Sequence, residues 1–140
     1  MDGKQKILIV DDSEMNRAIL TSILGYDFFE AENGVQAVKI LTEQHEHINL
    51  VLLDMVMPKL NGFGVLSVMN QNHWIDSVPV IMISAESDSV YVERAYQLGV
   101  TDYIGRPFDK AVIRQRVINT LMLYAKQKHL MRMVTEQVYK

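Results

Sequence analysis

Apolar residues in this chain fall into short solid runs, separated by stretches where they recur every three or four positions. Ile7-Leu8-Ile9-Val10, Leu50-Val51-Leu52-Leu53 and Val80-Ile81-Met82-Ile83 are unbroken, the pattern of strands covered on both faces of a parallel sheet. Phe28-Phe29-Glu30-Ala31 and Thr101 to Ile104 read as two weaker strands. Met15, Ile19, Ile23 and Leu24 form a stripe at helical spacing, closed by Gly25 as a C-cap. Asn33-Gly34 turns into a second helix carrying Val35, Val38 and Leu41, which ends in the polar stretch Gln44 to His47. Gly62 to Gln71 reads as a third helix with Phe63, Leu66 and Met69 on one side. A loop from Asn72 to Pro79 follows, then a fourth helix from Ser87 to Leu98, ended by Gly99. A fifth helix starts near Asp109 and meets no break signal before the last residue. Strands alternating with helices predict an α/β domain, a doubly wound five-stranded parallel sheet with five helices, the last one extended.

In such a sheet the C-terminal strand ends share one edge, and ligands bind there. The residues that follow the strands are Asp11-Asp12, Asp54, Ser84-Ala85 and Arg106-Pro107-Phe108. The fold would therefore gather three carboxylates, a hydroxyl and a cation. Three carboxylates in a low dielectric repel one another and call for a cation. Magnesium suits them, with manganese as an alternative, because it takes oxygen ligands and shares them with phosphate. Phosphoryl transfer needs a nucleophile and neutralising groups around the equatorial oxygens. An Asp carboxylate can be that nucleophile; Ser84 and Arg106 supply the partners, and the small Ala85 leaves room. An isolated acidic pair is more often a turn or helix cap, and Ser13 caps equally well. Asp54 carries the functional reading, because it ends a fully apolar strand at the mouth of the core.

Composition changes this picture little. At 140 residues, 49% hydrophobic and 22% charged, the chain suits one domain. It has no cysteine, which excludes disulfides, thiol chemistry and Cys-based zinc sites. No apolar run reaches the ~18 residues of a membrane span, and the first residues lack a signal-peptide pattern, so a cytoplasmic protein is expected. Up to Thr120 there are ten basic and sixteen acidic residues, net -6; from Leu121 onward the balance is +3. The acidic body argues against direct nucleic-acid binding.

The motifs Val10-Asp11-Asp12-Ser13, Leu53-Asp54-Met55-Val56-Met57-Pro58, Asn61-Gly62, Ile83-Ser84-Ala85 and Asp102-Tyr103-Ile104 leading to Arg106-Pro107-Phe108 occur in order. With them the chain resembles the receiver domain of bacterial response regulators, over residues 4–125. The resemblance implies a flavodoxin-like fold and phosphorylation of Asp54 by a histidine kinase, a phosphotransfer protein or a small phosphodonor. It implies magnesium held by Asp11, Asp12, Asp54 and the Met55 backbone carbonyl. Ser84 and Tyr103 would be the switch pair, and the face of the fourth helix, last strand and fifth helix would bind an output domain or partner. A cis bond is implied before Pro107. Val56 and Glu86 would flank the path of attacking water and tune the lifetime of the phosphoryl group. One position departs from the family: Arg106 stands where lysine is usual. Arginine keeps the charge but is longer, planar and bidentate.

The remaining features carry weaker readings. His45, His47, His73 and His129 read as solvated, the methionines as core fillers, and Trp74 as a cover over the core. Asn16-Arg17 reads equally as a phosphodonor contact or as surface. Val117, Tyr124, Met131 and Val138 recur every seven residues, thickened by Leu121, Leu123, Leu130 and Val134. Residues 126–140 are therefore expected to be a helical extension toward an output domain, able to pair with a second copy as a coiled coil. Two other classes are distinguishable. A haloacid-dehalogenase-type phosphohydrolase needs a second Asp two residues after the nucleophile, and Asp54-Met55-Val56 lacks it. A phosphorylation-independent binding module would rest on Arg106 alone.

Overall fold

The computed structural model describes residues 5–57, 59–85 and 89–138. The strands are β1 (Lys6–Val10), β2 (Asp27–Ala31), β3 (Leu50–Asp54), β4 (Val80–Ser84) and β5 (Asp102–Gly105). The helices are α1 (Glu14–Leu24), α2 (Gly34–Gln44), α3 (Gly62–Gln71), α4 (Ser89–Gln97) and α5 (Lys110–Val138). All pairings are parallel, in the order β2-β1-β3-β4-β5. This is the flavodoxin-like order, whose switch point lies between β1 and β3.

Strand position follows from sequence. The solid apolar runs β3 and β4 are buried at every residue, as expected for central strands sandwiched by helices. The weaker run β2 and the last strand β5 are the partly exposed edges; of the Tyr103-Ile104 run only Ile104 is buried, because β5 has a neighbouring strand on one side alone. Alternate strand residues enter two cores. Ile7, Ile9, Leu50, Leu52, Ile81 and Ile83 pack with α1 and α5, through Leu20, Leu24, Ile113, Val117 and Leu121. Leu8, Val10, Val51, Leu53, Val80 and Met82 pack with α2, α3 and α4, through Leu41, Phe63, Leu66, Met69 and Ala95.

The helices start where side chains cap them: Ser13, Asn33 and Asn61 each accept the backbone N–H three residues on. Gly25 ends α1 in the left-handed region, at φ 66.

Several side chains depart from the sequence reading. Met15 and Val35 are exposed, while Leu20 and Ala37 are the buried residues of α1 and α2. Both lie off the buried helix face: Gly34, in the same first turn as Val35, is buried with Ala37 and Leu41, and Met15 stands about 140° around the α1 axis from Leu20. The methionines are not mainly core fillers: Met55, Met57, Met69 and Met82 are buried, but Met15, Met122, Met131 and Met133 are exposed. His45 is not simply solvated. Its ring stacks on Trp74 at 5.1 Å and its Nδ1 lies 2.9 Å from the Leu41 carbonyl oxygen. Trp74 opens a single 3₁₀ turn, Trp74–Asp76, inside the expected loop and packs on the core. His73 pairs with Asp76 at 3.6 Å on the surface. The start of the fourth helix at Ser87 falls outside the described residues.

Candidate functional site

Sheet register sets the site. Val10 pairs with Leu53, and Asp54 with Ile83, so Asp11 and Asp54 leave neighbouring strands at one level. Ser84 pairs with Gly105, one step further along, and Arg106 follows directly. The Arg106 N–H donates to the Ser84 carbonyl at 2.9 Å, which ties the two edges of this corner together. The Arg106–Pro107 peptide bond is cis.

Asp11, Asp12 and Asp54 each offer an oxygen within 4.8 Å of the others. Asp11 and Asp54 are buried at 1% and 5% exposure, Ser84 at 0%, and Asp12 is open to solvent. Buried carboxylates require donors. Asp11 Oδ1 accepts from the Ser13 N–H at 2.9 Å, and Oδ2 from Asn16 Nδ2 at 3.4 Å and from Arg106. Asp54 Oδ1 accepts from the Val56 N–H at 3.4 Å, and Arg106 Nη1 stands 3.9 Å from Oδ2. Burial pushes Asp54 up to about 6. Arg106 opposes this, Asp11 and Asp12 add to it, and the Val56 N–H lowers it. The oxygen-only donor set, two carboxylates buried and one open, fits a hard divalent ion.

The other expected residues surround this notch. The Met55 carbonyl accepts the Gly62 N–H at 2.9 Å, and its second lone pair is available to a ligand. Ala85 is exposed and lines a notch of about 520 Å³ with Asn16, Ile19, Arg106, Pro107, Phe108 and Lys110. Tyr103 is half-buried against the α2–α3–α4 core. Val56 is 64% exposed beside Asp54; Glu86 and Pro58 lie outside the described residues.

Two contributors are structural and were not singled out for that role. Arg17 Nη1 donates to the Asp11 carbonyl at 2.7 Å and its Nε to Glu30 at 3.2 Å, so it braces the Asp11 backbone. Gly62 matters for its missing side chain: a Cβ there would meet the Asp54 carbonyl oxygen at 2.7 Å and the Met55 Cα at 2.9 Å. The Asn61-Gly62 pair signalled a turn but not that closeness.

The family model described as the response regulator receiver domain matches residues 7–118. The chain belongs to that family. Among relatives, this receiver domain is 40% identical over 121 residues to the "Probable transcriptional regulator ycf27" of Porphyridium aerugineum, covering 84% of this chain and 48% of the relative. It thus spans about half the length of such relatives. It is 32% identical over 120 residues to a chemotaxis protein CheY homolog of Campylobacter jejuni, covering 83% of this chain and 92% of that protein. A solved CheX-CheY-BeF3-Mg complex from Borrelia burgdorferi is 33% identical with TM-score 0.75, covering 82% of this chain and 87% of that one. The signal receiver domain of a LuxO repressor protein from Vibrio parahaemolyticus has TM-score 0.84 at 22% identity, a likeness of fold, covering 91% and 97%. Receiver domains are signalling domains of two-component systems rather than classical enzymes, and the acidic cluster here is compatible with magnesium. Among the described residues, no helix is long and apolar enough to cross a membrane.

Proposed function

We propose that this receiver domain accepts a phosphoryl group on Asp54 from a histidine kinase or phosphotransfer protein. The observation that carries the reading is the meeting of Asp11, Asp12 and Asp54 within 4.8 Å, beside buried Ser84 and Arg106. An Asp54 carboxylate oxygen attacks phosphorus; the P–N bond of the donor phosphohistidine breaks, and the imidazole leaves with the electron pair. Magnesium on the three carboxylates and the Met55 carbonyl would draw charge from the phosphoryl oxygens. The Ser84 hydroxyl donates to one of those oxygens, Arg106 offsets their charge, and Ala85 leaves them space. Tyr103 follows Ser84 inward.

The readout falls to the face of α4, β5 and α5, which presents Val90, Tyr96 and Val112 to solvent at 68%, 46% and 43%. An output domain or a separate partner binds there. The α5 extension, with Leu130, Met131, Val134 and Val138 exposed, supports pairing with a second copy or continuation toward an output domain. The absence of Asp two residues after Asp54 weighs against turnover as a phosphohydrolase.

Acetyl phosphate with magnesium is expected to add one phosphoryl mass to the chain and none to Asp54→Asn. An unchanged mass with both phosphodonor and cognate kinase would leave a phosphorylation-independent module, which would bind its partner equally with and without beryllofluoride.

A further inference from the structure

Three carboxylates in one corner need counter-charge, and the chain carries its own. One terminal nitrogen of Arg106 pairs with Asp11 Oδ2, and the other stands 3.9 Å from Asp54 Oδ2. Ser13 N–H holds Asp11 Oδ1 at 2.9 Å, so both Asp11 oxygens are committed to protein donors. The Arg106 side chain is only 21% exposed. Its Nε is buried without a hydrogen-bond partner among the described residues. A guanidinium is a planar fork of five donors. Here its tips meet carboxylates while Nε finds no partner among the described residues, and a buried donor without a partner is unfavourable. The pose satisfies the carboxylates rather than the arginine.

Resting on the reading of this cluster as a divalent-cation site, we infer that Arg106 is a tethered competitor for it. In the metal-free protein the guanidinium occupies the oxygens that a divalent ion would take. It has to leave Asp11 before the ion can bind. Apparent affinity falls by the fraction of time the competent state is populated: a notch free of Arg106 a tenth of the time binds about tenfold more weakly. The side chain at position 106 therefore sets the metal concentration at which the site becomes competent. Once displaced, its donors are free for another anionic group. A lysine would compete less well, because a compact ammonium cannot span two carboxylates as a fork does.

The test titrates Mn2+ by electron paramagnetic resonance and Mg2+ by calorimetry. It uses the unmutated chain, Arg106→Met and Arg106→Lys, with Asp11→Asn locating the ion. Arg106→Met should bind about tenfold tighter, Arg106→Lys should fall between, and Asp11→Asn should lose binding. Removal of a positive charge would tighten binding somewhat by itself, so two further readouts are needed. The Arg106 Nε–H resonance should move during the Mg2+ titration with the calorimetric midpoint. Arg106→Met should melt below the unmutated chain in EDTA, with the gap closing in saturating Mg2+. Arg106→Gln replaces the Met variant if that one folds poorly. Equal affinities, a motionless Nε–H while metal binds, a melting gap that ignores metal, or undiminished binding by Asp11→Asn would each overturn the inference. If neither the unmutated chain nor Arg106→Met binds either ion, the metal-site reading falls and this inference with it. Equal binding by both removes the inference alone.

Discussion

Two regions of this receiver domain reverse the usual distribution of side chains, in opposite directions. At the C-terminal edge of the sheet, Asp11, Asp54 and Ser84 are buried. Along the last turns of α5, Leu130, Met131, Val134 and Val138 stand in solvent at 56–68% exposure. The first inversion is imposed by the frame. Strands with solid apolar cores fix the backbone at these positions, and local donors and Arg106 partly offset the cost of buried charge. Among the described residues, nothing buries the second. Within α5, Ile113, Val117, Thr120 and Leu121 are buried, Tyr124 is half-buried, and every later described residue is exposed. One helix is thus held by the core in its first half and by local helix energetics in its second, which are marginal in water.

The sharpest test compares the two halves of α5. Ile113→Ala should cost about 3 kcal/mol, because it leaves a cavity in the α1–α5 core. Leu130→Ala should cost less than about 0.5 kcal/mol; urea denaturation of both variants checks the contrast. An equal cost would mean that something covers the tail.

Next comes the price of buried charge at the site. The Asp54 carboxyl titrates at about 6 rather than 3.8, so the folded state takes up its proton more readily than the unfolded chain. Charged Asp54 therefore destabilises the metal-free fold: not at all below pH 3.8, increasingly as pH rises toward 6, and fully above 6. The shift of about two units corresponds to at most about 3 kcal/mol. Asp54→Asn should stabilise the chain in EDTA at pH 7.5 and lose that advantage by pH 4. Urea midpoints across that range test the sign. A flat difference would mean that the frame does not hold Asp54 as tightly as its burial implies.

Gly62→Ala presses on the same frame from behind. Its Cβ would meet the Asp54 carbonyl oxygen at 2.7 Å, and such overpacking costs roughly 1–3 kcal/mol. Thermal denaturation should show the loss, together with reduced phosphoryl uptake at Asp54. The smallest effect is read by hydrogen exchange: amides of residues 113–121 should exchange slowly, and those beyond 125 close to the unprotected rate.

Much of the frame was legible in the sequence, because β1, β3 and β4 declared themselves by unbroken apolar runs and β2 and β5 by shorter ones. The sheet-edge logic then brought Asp11, Asp54, Ser84 and Arg106 together from 95 residues of separation. Helix faces were less legible. Met15 and Val35 satisfy helical spacing, yet the buried faces run through Leu20 and Leu24 in α1 and through Gly34, Ala37 and Leu41 in α2. Periodicity describes a helix without fixing which of its neighbouring apolar positions centres the buried face. The Arg106 pairing with Asp11 was out of reach for a different reason. Sequence places a cation near three anions, but the choice among them depends on side-chain length and the local backbone. The His45–Trp74 stack joins two segments whose polar composition suggested only loop.

That stack has a practical consequence. Trp74 is the chain's single tryptophan, and it precedes β4, whereas the acidic notch lies beyond the far ends of the strands. A five-residue strand spans roughly 16 Å. The indole belongs to the end of the molecule where Asp76 and Ser77 share a notch with Tyr124 and Lys128 of α5. Its fluorescence thus reports on the His45 stack and the core beneath it, and a silent emission spectrum during phosphodonor treatment is compatible with a fully modified Asp54.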